Sequence, residues 1–225
     1  MGDPLYIVFE GINASGKTTQ LRRLAEALVR LNYTPIQLFE PTRGTYGLQA
    51  RRLVEQEPDS TREEQARLFL LDRAEHVTFK VKPLLDLLER LRPDVGFRIL
   101  QDRSIYSAPA YQGAGREEIQ PILQRELSIA PPPDWVFYLD LPVETALERM
   151  RHQTARGDLE RWRALMTRAR DHYRVMAEWE PERITVVDAG QPEEEVAATI
   201  LKWMDLRPFQ PGQGGPRRAM IGEGT

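Results

Sequence analysis

The stretch Leu5-Tyr6-Ile7-Val8-Phe9-Glu10-Gly11-Ile12-Asn13-Ala14-Ser15-Gly16-Lys17-Thr18-Thr19 decides the fold. Its first five residues form a nearly continuous apolar run, as in a strand buried on both faces. Gly11 to Thr18 then spells G-x-x-x-x-G-K-T, and Leu21, Leu24, Ala25, Leu28 and Leu31 follow at helical spacing. Strand, glycine loop and helix in that order are the context the motif requires. The glycines let backbone N–H groups curl around a phosphate, and the helix N-terminus adds its dipole. Lys17 should reach the β- and γ-phosphates of a nucleoside triphosphate, and the Thr18 hydroxyl should ligate Mg²⁺. The candidate ATP-binding set is therefore Gly11, Ile12, Asn13, Ala14, Ser15, Gly16, Lys17, Thr18 and Thr19.

Working outward, Thr34 to Phe39 reads as a second strand, ended by Pro41 and Gly44. A helical region runs from about Thr61 to Leu91, bent or broken at Pro83. Phe97 to Gln101 and Trp135 to Leu139 read as a third and fourth strand. Helical patterns cover about Val143–Arg151 and Glu160–Glu178, then Ile184–Val187 is a last strand and about Pro192–Met204 a last helix. Strands separated by helices imply right-handed crossovers and a parallel sheet covered on both faces. The predicted class is α/β: a P-loop NTPase-type three-layer sandwich with a five-stranded parallel sheet and a mobile lid at about 151–160. Ligands then bind beyond the carboxyl ends of the strands. Residues 1–205 read as one domain. Residues 206–225, with five Gly and three Pro, read as a disordered tail.

Composition excludes several chemistries. The chain has 225 residues, a net charge of −3 and no cysteine, so no disulfide, thiol nucleophile or Cys-ligated metal is available. Three histidines leave no His-rich metal site, and the acidic balance argues against a nucleic-acid partner. No apolar run reaches the roughly 18 residues of a membrane helix. The N-terminus lacks the basic region of a signal peptide, so a cytoplasmic location is expected. Of the 31 basic residues only Lys17, Lys80, Lys82 and Lys202 are lysine. Arg suits bidentate phosphate recognition, although genomic bias produces the same excess.

The third strand ends in Asp102-Arg103-Ser104, which places a carboxylate and a guanidinium beside the phosphate loop. Asp102 would hold Mg²⁺ through water, and Arg103 would clamp a substrate phosphate. No N-K-x-D guanine-reading motif is present. From about Tyr6 to Met204 the chain resembles the thymidylate kinases. Four segments carry the likeness. Phe9-Glu10-Gly11 through Thr19-Gln20 is similar to the family's F-E-G-x-x-x-x-G-K-T-T-Q, and Leu68 to His76 to its thymine-binding helix. Asp102-Arg103 with Ser107 and Ala110-Tyr111-Gln112-Gly113 is similar to D-R-x-x-x-S-x-x-A-Y-Q-G. Pro133-Asp134 and Tyr138 to Leu147 are similar to the fourth strand and the next helix.

The resemblance implies ATP and dTMP as substrates, Mg²⁺ as cofactor, and a homodimer. Phe69 and Arg73 lie four apart on one helix face. By themselves they read as a core aromatic and a surface cation; the family match makes them a base-stacking ring and a base-edge donor. Tyr111 then resembles the aromatic that crowds the sugar 2′ position, and Gln112 a base contact. Asn13, Glu40, Arg43, Arg103 and Ser107 complete the implied dTMP site. Between Arg149 and Arg174 eight Arg face three acids, Asp158, Glu160 and Asp171. Arg151 to Asp158 interrupts two helical patterns and resembles the family lid. The loop positions Asn13, Ala14 and Ser15 are uncharged, so Arg151 and Arg156 are the expected lid cations, joining Lys17, Asp102 and Arg103 as the catalytic set. Arg161, Arg163, Arg168 and Arg170 read as a solvated face.

Three positions depart from the family pattern. Asn13 stands where an acidic residue usually accepts the sugar 3′-OH; Ser104 replaces an aromatic or His; Phe39 precedes Glu40-Pro41 in place of Arg. The last two lean towards deoxynucleoside kinases, in which Glu40 would serve as general base for a 5′-OH. An ATP-binding module without catalysis is the third reading.

Overall fold

The structure is a computed structural model that describes residues 5–57, 60–91, 96–151 and 159–210. Five parallel strands form one sheet: β1 (Tyr6–Glu10), β2 (Thr34–Phe39), β3 (Phe97–Asp102), β4 (Trp135–Asp140) and β5 (Ile184–Asp188), in the order β2-β3-β1-β4-β5. This is the predicted P-loop-type sheet. β1 is buried along its whole length because both its neighbours are strands and both its faces carry helices. Phe9 packs on Phe137 at 5.6 Å, and Phe137 stacks on Trp135 at 5.5 Å. The register aligns Phe9 with Asp102 and Glu10 with Tyr138, so the ends of β1, β3 and β4 lie side by side.

Nine α-helices are present among the described residues: α1 (Lys17–Arg30), α2 (Thr45–Gln56), α3 (Arg62–His76), α4 (Lys82–Leu91), α5 (Ser107–Gln112), α6 (Ile119–Ile129), α7 (Val143–Met150), α8 (Leu159–Trp179) and α9 (Glu193–Met204). A Thr61–Glu64 capping box starts α3, which satisfies two orphan N–H groups reciprocally. The expected break near Pro83 is a π-helical turn at Val77–Val81. Pro83 has no N–H for the Phe79 carbonyl, and its ring crowds that turn, so the helix widens just before it.

Helices α2, α5 and α6 are missing from the sequence reading. Gly47 weakens the α2 pattern, yet Gly is required there: a Cβ would stand 2.3 Å from the Thr42 carbonyl oxygen. Composition also places the end of the packed chain too early. The Phe209 N–H donates to the Leu31 carbonyl at 2.8 Å, and its ring lies 5.5 Å from that of Tyr33. One aromatic anchor thus orders residues 206–210 despite their glycine- and proline-rich surroundings. Most of the expected lid (152–158) and residues 211–225 lie outside the described residues.

Candidate active site

The phosphate loop leaves β1 at Gly11, whose φ of 144° and tight surroundings admit no side chain: a Cβ would lie 2.7 Å from the Leu139 carbonyl oxygen. Gly16, at φ 93°, turns the loop into α1, which has no side-chain cap and no acid in its first turn. Its N-terminal N–H groups and dipole are therefore left for an anion. Lys17 Nζ donates to the carbonyls of Gly11 at 3.1 Å and Ile12 at 2.8 Å. Burial and the nearby Arg103 charge, opposed by Asp102 and Glu10, bring its pKa down to about 7. The Thr18 hydroxyl donates to Asp102 Oδ2 at 2.5 Å, which joins the predicted pair.

Arg103 leaves β3 with φ 68°, a left-handed conformation that costs a non-glycine residue about 1 kcal/mol. That turn aims the guanidinium back over the loop. It donates to Asn13 Oδ1 at 2.7 Å, Ser107 Oγ at 3.1 Å and Tyr111 Oη at 3.4 Å. Beneath it lies Glu10, fully buried, which accepts from the Ser104 N–H at 2.6 Å and from Ser107 and Tyr173 hydroxyls at 2.7 Å each. Burial raises its pKa despite the Arg103 charge. The sequence signal for Glu10 was available: a carboxylate at the end of a buried strand must be partnered.

A cavity of about 710 Å³ opens on Arg103 and is lined by Asn13, Glu40, Phe69, Arg73, Tyr111 and Gln112 among others, Ser107 included. Arg73 is clamped between two buried carboxylates. Its Nε and Nη2 reach Glu40 Oε2 at 2.8 Å each, and Nη1 reaches Glu126 Oε2 at 2.5 Å. The other Glu40 oxygen meets His76 Nδ1 at 3.0 Å and Gln101 Nε2 at 3.2 Å. Burial would raise the Glu40 pKa, but Arg73 and His76 outweigh it and hold the carboxyl below its ordinary value. Glu126, on α6, carried no sequence signal; it is the one acid of that helix, and no motif or neighbouring residue marks it as buried.

Some predicted positions fall elsewhere. Arg43 is exposed and lines neither this cavity nor the one beside the phosphate loop, because the chain at 42 is tied inward through Thr42 to Asp72 instead. Arg151 is likewise exposed and outside both cavities, and Arg156 lies outside the described residues. Arg149 takes the expected place: it donates to the Ala14 carbonyl at 3.1 Å and lines both cavities. Two residues along a helix is about 200°, so Arg149 and Arg151 point to opposite sides. The solvated face also needs correction. Arg170 pairs with Asp140 at 2.6 Å, Arg163 with Glu144 at 2.8 Å, and Arg161 lines the large cavity.

The second cavity, about 490 Å³, is lined by Ala14 to Gln20 with Arg149, Ala189, Gln191, Glu193 and Val196. The two cavities meet at Ala14 and Arg149.

Comparison with known proteins agrees with this geometry. The family model for thymidylate kinase matches residues 9–200. A thymidylate kinase of Desulfotalea psychrophila is 40% identical over 152 residues, 68% of this chain and 70% of that protein. One from Akkermansia muciniphila is 36% identical over 201 residues, 89% of this chain and 91% of its own. A probable thymidylate kinase of Thermococcus kodakarensis is 33% identical over 205 residues, covering 88% and 95%. With this sheet, this loop and these matches, the chain belongs to the thymidylate kinase family.

Proposed function

We infer that the chain transfers the γ-phosphoryl group of ATP to dTMP, giving ADP and dTDP. The observation that carries this is the pair of cavities meeting at the phosphate loop, one lined by the loop and the other by a base-sized wall and Arg103. A phosphate oxygen of dTMP attacks the γ-phosphorus in line, the bond to the β-bridging oxygen breaks, and ADP leaves. The dTMP phosphate has a second pKa of about 6 and is largely the dianion at neutral pH, so it needs cations and no base. Arg103 suits that task on the acceptor side, with Lys17 and the loop N–H groups on the donor side. Arg149 stands at the junction. Phe69 offers a face to the base, and the two Arg73 N–H groups not spent on carboxylates offer donors to its edge.

Thr18 and Asp102 form a hard-oxygen pair of the kind Mg²⁺ prefers, and a bound ion would neutralise charge on the donor phosphates. The rival nucleoside-kinase reading needs Glu40 as a free base. Both of its oxygens are occupied by Arg73, His76 and Gln101, which disfavours it. The reading includes residues 1–205 as the kinase domain with a lid over about 151–160, a homodimer and a cytoplasmic setting. Exposed Leu48, Phe79 and Leu87 offer apolar surface for the second copy. No described helix is long and apolar enough to cross a membrane.

The test supplies the purified protein with ATP and Mg²⁺ plus either dTMP or thymidine, and follows ADP release. Turnover of dTMP is expected. Turnover of thymidine alone would overturn the reading in favour of the nucleoside kinase.

A further inference from the structure

Asn13 lines the same cavity as Arg103, Phe69 and Arg73 and touches the first of these directly. Arg has only donors, so the Asn13 atom 2.7 Å from Arg103 Nη2 is the amide oxygen and not the nitrogen. The same oxygen accepts the Tyr111 hydroxyl at 3.0 Å. An amide oxygen has two lone pairs, and both are spent. The role an acidic residue has at this position in the family, accepting the sugar hydroxyl, is therefore closed to Asn13 in this geometry. What Asn13 has left is its NH₂ group, a pure donor without a protein partner among the described residues. Tyr111 contributes no proton either, having given its own to Asn13.

In dTMP the phosphate occupies the 5′ position and the base the 1′ position, so the sugar's single hydroxyl is at 3′. A polar side chain alongside the sugar meets that oxygen. We propose that Asn13 makes the sugar-binding part of the cavity a donor site, which reads an acceptor at 3′. It therefore admits nucleoside monophosphates whose 3′ substituent cannot donate a hydrogen bond. A carboxylate at position 13 does the opposite: it only accepts, and it needs the 3′ proton. The proposal rests on the reading of dTMP as phosphoryl acceptor.

The test compares kcat/KM for dTMP and for 3′-O-methyl-dTMP, which keeps the acceptor oxygen and lacks the proton, at saturating ATP and Mg²⁺. The wild-type ratio should stay within about threefold, because the lost proton has no acceptor. In Asn13→Asp the preference for dTMP should rise about tenfold or more, the scale of a hydrogen bond to a charged group. Tyr111→Phe serves as a second variant, since it frees one lone pair of the Asn13 oxygen and should raise the preference in the same direction. A wild-type enzyme that already rejects the 3′-O-methyl analogue more than about tenfold overturns the proposal. So does an unchanged ratio in both variants. Wild-type turnover of neither nucleotide overturns the acceptor reading itself, and this proposal with it.

Discussion

Lys17 gives the sharpest quantitative expectation. With no nucleotide bound its pKa is about 7, because burial removes water from the ammonium and Arg103 repels it. A phosphate arriving beside Nζ supplies the opposite charge and returns the pKa towards its ordinary value of about 10.4. At pH 8 the free protein then holds about one-tenth of a proton on Lys17 and the complex about one, so binding takes up about 0.9 proton. At pH 7 the uptake is about 0.5, and at pH 6 about 0.1. Above pH 7 the dissociation constant for ATP should weaken towards tenfold per pH unit. Folding obeys the same linkage. From about pH 7 to 10.4 the unfolded chain binds the proton that the folded, unliganded protein lacks. This group therefore makes the folded state gain stability as pH rises through that window. Calorimetric titration with ATP at pH 8, in two buffers of different ionisation enthalpy, measures the uptake directly. ATP is itself fully ionised there, since phosphate second pKa values lie near about 6. Lys17→Arg, always charged, should abolish the uptake. Uptake below about 0.2 proton in the wild type would refute the reasoning.

Three other outcomes follow from the site. Phe69→Ala should raise the KM for dTMP between about fivefold and a hundredfold, as base–aromatic contacts of about 1–3 kcal/mol require; the KM for ATP should hold, and an unmoved dTMP KM would remove Phe69 from the base site. Arg149→Ala should lower kcat/KM for ATP about tenfold or more, whereas Arg151→Ala should change it less than about twofold; equal effects would contradict the helix phase. Glu126→Leu leaves the buried Arg73 with one carboxylate, and urea unfolding should show a loss of about 3–5 kcal/mol. Glu126→Gln, which still accepts a hydrogen bond, should lose less.

Much of the fold was legible because the relevant signals are local. The β1 run, the glycine spacing and the α1 periodicity sit within one contiguous stretch, and each strand announced itself as a short apolar run between breakers. Helix α2 was not legible, because Gly47 serves close packing against Thr42 and against the Asp72 carboxylate, which α3 brings in from further along the chain. The end at 206 was misplaced for a related reason. Phe209 docks on Tyr33 and Leu31, which are distant in sequence. In the site, Thr18 and Asp102, or Arg103 and Ser107, could be paired from motif and resemblance alone. Glu126 could not, since its partner Arg73 is 53 residues away and nothing in α6 marks it.

The sequence by itself determined that a phosphate loop opens a parallel α/β sheet with Arg103 at the end of a neighbouring strand, whereas Phe69 and Arg73 were marked by family resemblance alone. Residue type and spacing settle the former, because backbone periodicity and glycine geometry act over a few residues. Only the tertiary structure decided how each group's bonding capacity is spent. Glu40 is used up on Arg73, His76 and Gln101, the Asn13 oxygen on Arg103 and Tyr111, and Arg149 rather than Arg151 turns to the loop. A side chain's lone pairs and protons are finite, and which of them remain for a substrate depends on neighbours that the fold brings in from elsewhere in the chain.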